Sequence, residues 1–174
     1  MKKFLCLVLF LTLCGLAQAK DTAILQSSNG IAIGTANPMP VVIVSGSPGS
    51  DQSSSGLRIT AVAGEALTID DAIYPSTDGK FFKALADDES TVPVMGLSLT
   101  TASTGGAISV LKVGQYRDDS WTWTPGGLLY LSPSVAGGLT QTRPSASGDQ
   151  VQIVGYAISA TVIYFNPDYT YIEI

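Results

Sequence analysis

The chain has 174 residues, 45% of them hydrophobic and only 13% charged, with a formal net charge of −5. That apolar content is enough to offset the entropy of ordering, which excludes wholesale disorder, and the length suits one domain with an added arm. Lys and Arg number nine and nowhere gather into a patch, which excludes recognition of nucleic acid through its phosphates.

The chain opens with MKKFLCLVLFLTLCGLAQAK. Lys2 and Lys3 form a positive leader, Phe4 to Leu16 an apolar stretch, and Ala17-Gln18-Ala19 a small-residue cleavage site. This is the pattern of a secretory signal peptide over residues 1–19, and it is too short for a membrane span. A retained anchor helix is the alternative; lipidation at Cys14 is disfavoured by Leu13 before it. Both cysteines, Cys6 and Cys14, lie in this segment. The expected mature chain therefore has no thiol chemistry and no disulfide, and loses two positive charges with Lys2 and Lys3.

Residues 20–44 read as an extended arm. TAIL pairs as a strand, SSNG turns, IAIG extends, ANPMP breaks, and VVIV extends again. Ile31, Ile33, Val41, Val42, Ile43 and Val44 supply β-branched side chains suited to pairing with a neighbouring subunit. Residues 45–56, SGSPGSDQSSSG, carry almost no large apolar group and read as a linker. From Leu57 onward, strand candidates follow one another closely: LRITAVA, EALTI, AIYPS, KFFKALA, VPVMGLSLT, AISVLKVGQY, LLYLS, QVQIVGYAISATVIYF and YTYIEI. Turn signals such as TDGK, STGG, TPGG and SASGD separate them. Period-two alternation is clearest in AISVLKV and QVQIV, and no helical stripe escapes interruption by Gly or Pro. The expectation is an all-β module over residues 57–174, an antiparallel β-sandwich or small β-barrel.

Each candidate site has a plain competitor. Gly30 and Gly34 in GIAIG lack the spacing and following helix of a nucleotide loop, so they read as turn glycines. The doublets Asp70-Asp71 and Asp118-Asp119 and the run Asp87-Asp88-Glu89 read as solvated turns. Adjacent strand residues point to opposite faces, and no D-x-D-x-D-G loop assembles the roughly six oxygens calcium needs. No histidine is present, which removes the commonest base and zinc ligand, and no G-x-S-x-G or S-x-x-K nominates a serine nucleophile. No enzyme, metal or cofactor is expected; a hydrolase with paired carboxylates ranks last. Trp121 and Trp123 share one face if their segment is a strand, and with Arg117 and Asp119 they form a ligand or interface candidate, against the alternative that both rings cover the core. The apolar C-terminal stretch, with Ile158, Val162, Tyr164, Tyr169, Tyr171 and Ile174, suggests either a subunit interface or intramolecular core strands.

Two stretches resemble known structural proteins. SNGIAIGTANP, Ser28 to Pro38, is similar to an N-G-x-V-G-I-G-T-x-x-P element of phage tail-fibre and tailspike chains, with Ala32 where glycine is usual. AGEALTIDDAIYPSTDGKFFKALADD, then VPVMGLSLTTASTGGAISVLKVGQY, then GGLLYLSPSVAGGLTQTRPSASGDQVQIVGYAIS (Gly126 to Ser159) resemble a β-rich module of virion fibre and capsid-decoration proteins. The resemblance covers most of the mature chain and rests on turns and strand edges, not on reactive groups. It implies a non-enzymatic structural subunit, commonly trimeric, that works by assembly and attachment.

Joined to the signal peptide, these readings predict a secreted or cell-surface protein, or alternatively one on a virion surface. Its expected partners are copies of itself, as a trimer or polymer, through donation of the arm as an added strand. The alternative is a carbohydrate- or receptor-binding module using the Trp121/Trp123 face, with a cell-surface glycan or receptor as partner.

Overall fold

A computed structural model describes residues 46–174 fully and, before them, the backbone of two short strands. The chain falls into two units, residues 1–42 and 43–174. In the first, β1 (Leu25–Gln26) pairs antiparallel with β2 (Ala32–Ile33), Leu25 opposite Ile33.

The second unit is all-β and antiparallel. Its strands are β3 (Ser53–Val62), β4 (Ala72–Pro75), β5 (Phe81–Lys83), β6 (Gly96–Ser98), β7 (Ala107–Arg117), β8 (Leu128–Leu131), β9 (Leu139–Thr140), β10 (Gln150–Val151), β11 (Ile153–Ala157), β12 (Val162–Phe165) and β13 (Ile172–Glu173). A single 3-10 turn, Glu89–Thr91, is capped by the Asp88 side chain. Among the described residues no helix is long and apolar enough to cross a membrane.

The sheet is organised on β7. One edge pairs with β3 along its whole length, from Ser53 opposite Arg117 to Val62 opposite Ala107. The other edge is shared: β12 takes Gly114–Arg117 and β6 takes Val110 and Leu111. Two branches leave from there, β6–β4–β5 and β12–β11–β8–β9, while β10 and β13 form a separate pair. The first branch curls back on itself, since Ala63 just past β3 bridges Phe81 at the start of β5.

The hydrophobic pattern explains why one strand can serve both branches. Ile108 and Val110 enter a small cluster with Ala63, Leu67, Ile73 and Phe81. Leu111 and Tyr116 enter a larger one with Leu97, Leu129, Leu131, Val154, Ile163 and Phe165. The pairing shifts at this change, with Leu57 opposite Val113 but Arg58 opposite Leu111, so Lys112 is an extra residue that interrupts the alternation. Just beyond it, Gly56 and Gly114 face each other with φ of +135° and +148°. A Cβ on Gly114 would lie 2.0 Å from the Ser55 carbonyl oxygen. Only glycine permits both the backbone angles and the approach.

One buried side chain stands in for a strand. Gln152, fully buried, accepts the Val94 N–H at 2.7 Å and donates to the carbonyls of Val94 at 3.1 Å and Asp168 at 2.6 Å. Its amide satisfies backbone groups that no ladder reaches.

Three details differ from the sequence reading. β3 begins at Ser53, so the Ser53–Gly56 end of the expected linker is paired strand. EALTI forms only an isolated bridge, Leu67 with Ala102. The long run QVQIVGYAISATVIYF divides into β10, β11 and β12. The break falls where the Ser159 hydroxyl accepts the N–H groups of Thr161 and Val162, a local bond that competes with continued strand.

Candidate functional site: a cleft beside Trp121 and Trp123

Beyond β7 the chain is turned by its own carboxylate. Asp118 Oδ1 accepts the Ser120 N–H at 2.7 Å and the Ser120 hydroxyl at 2.5 Å, an arrangement Asp favours at turns. The Trp121 N–H then donates to the Asp118 carbonyl, and the Trp123 N–H to the Ala160 carbonyl at 2.9 Å. Farther along, the Gln141 side chain clamps Thr124 by both its N–H and its carbonyl, each at 2.9 Å. The indoles are thereby fixed: Trp121 lies 5.5 Å from the Tyr116 ring and 5.6 Å, edge to face, from Trp123. Both rings are half-buried against the larger cluster.

Their free sides line an open cleft of about 370 Å³, whose other walls are Ile69–Asp71 and the turn Val135–Leu139. That turn lies close on Asp71. Gly137 has φ +75°, and a Cβ there would come 2.7 Å from Asp71 Oδ1. Asp71 also accepts from the Thr68 N–H at 2.6 Å and its hydroxyl at 3.1 Å, and pairs with Lys83 at 3.2 Å.

Asp70 has the opposite environment. It sits at φ +73°, a left-handed conformation that Asp tolerates better than most residues. Burial pushes its carboxyl up to about 7, the neighbouring Asp118 adds to the rise, and Tyr116 opposes it. Burial alone would raise Asp118 too, but hydrogen bonds from Asp70, Ser120 and Gln52 prevail and hold it below the usual range. Burial, reinforced by Asp70 and Asp118, pushes the Tyr116 phenol upward, so it stays protonated. Asp70 and Asp118 thus behave as a carboxyl–carboxylate pair with unequal affinities for one proton. Asp70 Oδ1, Tyr116 Oη and Trp123 Nε1 are buried without a hydrogen-bond partner of sound geometry.

The structure brings Trp121 and Trp123 together with Asp70 and Asp71, not with Arg117 and Asp119, which do not line the cleft. Arg117 instead forms a bidentate pair with Asp119, at 2.6 and 3.1 Å, and the Asp119 N–H donates to Asp51. Reading both aspartate doublets as solvated turns also needs correction: Asp71 and Asp118 are buried. Both doublets lie outside the strands, so strand alternation does not govern them, and tertiary packing brings Asp70 to Asp118. Among the described residues no group of three or more metal-ligating side chains comes together.

Of the arm residues, Ile33 lies in β2; Ile31, Val41, Val42, Ile43 and Val44 lie outside the described residues. Of the C-terminal interface candidates, Val162 is buried within the subunit, because β12 is an interior strand between β7 and β11. Of its two readings, subunit interface or intramolecular core strand, Val162 takes the second. Tyr164 stacks with Tyr156 at 5.5 Å, Tyr171 packs on the larger cluster, and Lys112 lies over the Tyr169 ring. Tyr169, Ile172 and Ile174 remain exposed.

Fold and site together define an all-β domain built on a curled antiparallel sheet, with an aromatic, carboxylate-bearing cleft at one end of its central strand. No family model matches the chain, and no curated protein matches its sequence.

Proposed function

We propose that the chain is a non-enzymatic structural subunit that assembles with copies of itself into a surface fibre, filament or decoration. The segment Val41–Val44 of one copy adds as a strand to β3 of another. One observation carries this reading: β3 runs for ten residues and, among the described residues, pairs with β7 alone. Its outer edge therefore presents unpaired backbone groups, flanked by Leu57 and Ile59, 63% and 38% exposed. A long apolar edge of this kind is a liability for a monomer, and folds usually shorten, charge or cover it. Arg58 is the only charge on β3, and its guanidinium bonds back to the Ser54 carbonyl.

The arm suits the vacancy chemically. VVIV is four β-branched residues, and an added strand gains backbone hydrogen bonds of about 0.5–1.5 kcal/mol each together with burial of the exposed side chains. The signal-peptide pattern of residues 1–19 supports a setting outside the cell or on its surface, with a virion surface as the other setting.

Electron microscopy and sedimentation of the chain beginning at Lys20, across a concentration series, test the reading. Filaments or closed trimers are expected, and Val42→Pro with Ile43→Pro should leave dispersed monomers, because proline cannot donate to the ladder. Assembly that persists in the double-proline chain counts against strand donation. Monomers at every concentration of the parent chain count against the structural role itself.

A further inference from the structure

We infer that the Trp121–Trp123 cleft binds a neutral saccharide, one sugar ring of a glycan seated against the two indoles and hydrogen-bonded by Asp70. The inference rests on the cleft and is independent of strand donation.

The cleft is of the right kind. Its volume of about 370 Å³ falls in the roughly 300–1,000 Å³ typical of small-molecule sites. Two half-exposed tryptophans give it an apolar wall, while Asp70 and Asp71 give it a polar one. A sugar ring is among the few ligands that need both, with a C–H face for an aromatic surface and hydroxyls that donate and accept. The walls are held before any ligand arrives, by the backbone bonds of Trp121 and Trp123 and by the close fit of Gly137 on Asp71. Binding then costs little further ordering.

The electrostatics favour a neutral ligand. Among the described residues no lysine or arginine lines the cleft to meet an anion, and Lys83, which reaches Asp71, is paired with it. A cation finds less charge than two aspartates suggest, since the Asp71 charge is met by Lys83 and burial beside Asp118 raises the Asp70 carboxyl's affinity for its proton. Hydrogen-bonding capacity remains: Asp70 and Trp123 line the cleft, and Asp70 Oδ1 and Trp123 Nε1, both shielded from solvent, lack a partner of sound geometry, while Asp70 also engages Asp118 and Tyr116. Buried polar atoms are seldom left so. A sugar hydroxyl entering between the walls reaches Oδ1 when the Asp70 carboxyl turns about its terminal torsion, exchanging its contact with Asp118 for one with the ligand.

The protein's own fluorescence provides the assay. The sequence has two tryptophans, and both line this cleft, so indole emission reports on nothing else. The chain beginning at Lys20 is titrated with a panel of neutral mono- and oligosaccharides, with choline as the cationic control. A saturable emission change with at least one sugar is expected, and none with choline. Asp70→Ala should weaken binding at least tenfold. Val135→Arg, at an exposed position on the cleft wall, should block it while leaving the core intact, which covers the case in which the Asp70 variant fails to fold. Arg117→Ala should bind as the parent does. No change with any saccharide, a response to choline instead, or undiminished binding by folded Val135→Arg would each overturn the proposal. Retained binding in the double-proline arm variant would show that the site and the assembly stand or fall separately.

Discussion

β7 has two edges, and they have been treated differently. On one, β12 and β6 are short, interior and buried, and carry Ile163, Phe165 and Leu97 into the core. On the other, β3 is the second-longest strand of the sheet, yet most of it is exposed and, among the described residues, nothing pairs with its far side. Equal pairing with β7 therefore does not mean equal roles. The short strands are held by the core, whereas β3 is held by its backbone ladder and by the one bridge past its end. The first edge concerns stability, and the second concerns what the molecule can be joined to.

Substitutions can sharpen this contrast, beginning with the largest effect. Gly114→Ala strikes the junction of the two edges, combining a left-handed backbone with a clash against the Ser55 carbonyl. A loss of about 3 kcal/mol is expected in chemical denaturation. Gln152→Leu acts on the closed side alone and strands the Val94 N–H and two carbonyls, at a cost of about 2 kcal/mol. If Gln152→Leu proved neutral, the buried amide would not be a structural substitute for a strand.

A smaller effect concerns pH. Asp70 has a folded-state pKa of about 7, raised from 3.8, so the folded protein holds this proton more tightly than the unfolded chain. Its contribution to stability is complete below pH 3.8 and is lost as pH rises towards and through 7. Asp118, depressed in the folded state, contributes with the opposite sign: its share is present above the unfolded value and is lost as pH falls through its folded pKa. Across pH 4 to 7 the Asp70 term governs, at about 1 kcal/mol because a partly exposed carboxyl is screened. Thermal melts should show Tm falling over that range in the parent chain and a flatter profile in Asp70→Asn.

The smallest effect on stability falls on the open edge. Ile59→Lys should change the unfolding free energy by less than about 0.5 kcal/mol, the usual range for exposed positions, while abolishing higher assemblies in sedimentation. A large loss of stability there would mean that β3 belongs to the core after all.

The all-β class was legible because period-two alternation in AISVLKV and closely spaced turn signals are local properties. The extended segments around Leu25 and Ile33 were legible for the same reason. The forked sheet was not. It depends on the extra residue at Lys112 and on the facing glycines Gly56 and Gly114, which only the pairing register brings into relation. Trp121 and Trp123 could be nominated as a pair from their spacing, but their polar partner could not. Arg117 was the nearest charged neighbour in sequence, whereas Asp70 comes from a distant turn. The doublets at Asp70 and Asp118 were visible, yet nothing in one sequence says that two turns meet. Burial of Val162 was hidden for a related reason: an apolar terminal strand reads alike whether it enters its own sheet or a neighbour's.

The central claim is that one copy's arm occupies another copy's β3, and cysteine cross-linking between copies tests it most directly. With both native cysteines at Cys6 and Cys14, the chain beginning at Lys20 provides a thiol-free background. Two single-cysteine proteins are prepared, Ile43→Cys in the arm and, separately, Leu57→Cys, Ile59→Cys or Ala61→Cys along β3, then mixed and oxidised. The account predicts a disulfide-linked heterodimer for at least one β3 position, and its loss when the arm also carries Val42→Pro. No heterodimer at any β3 position, or a disulfide that forms only within one chain when both cysteines are placed together at high dilution, would contradict it.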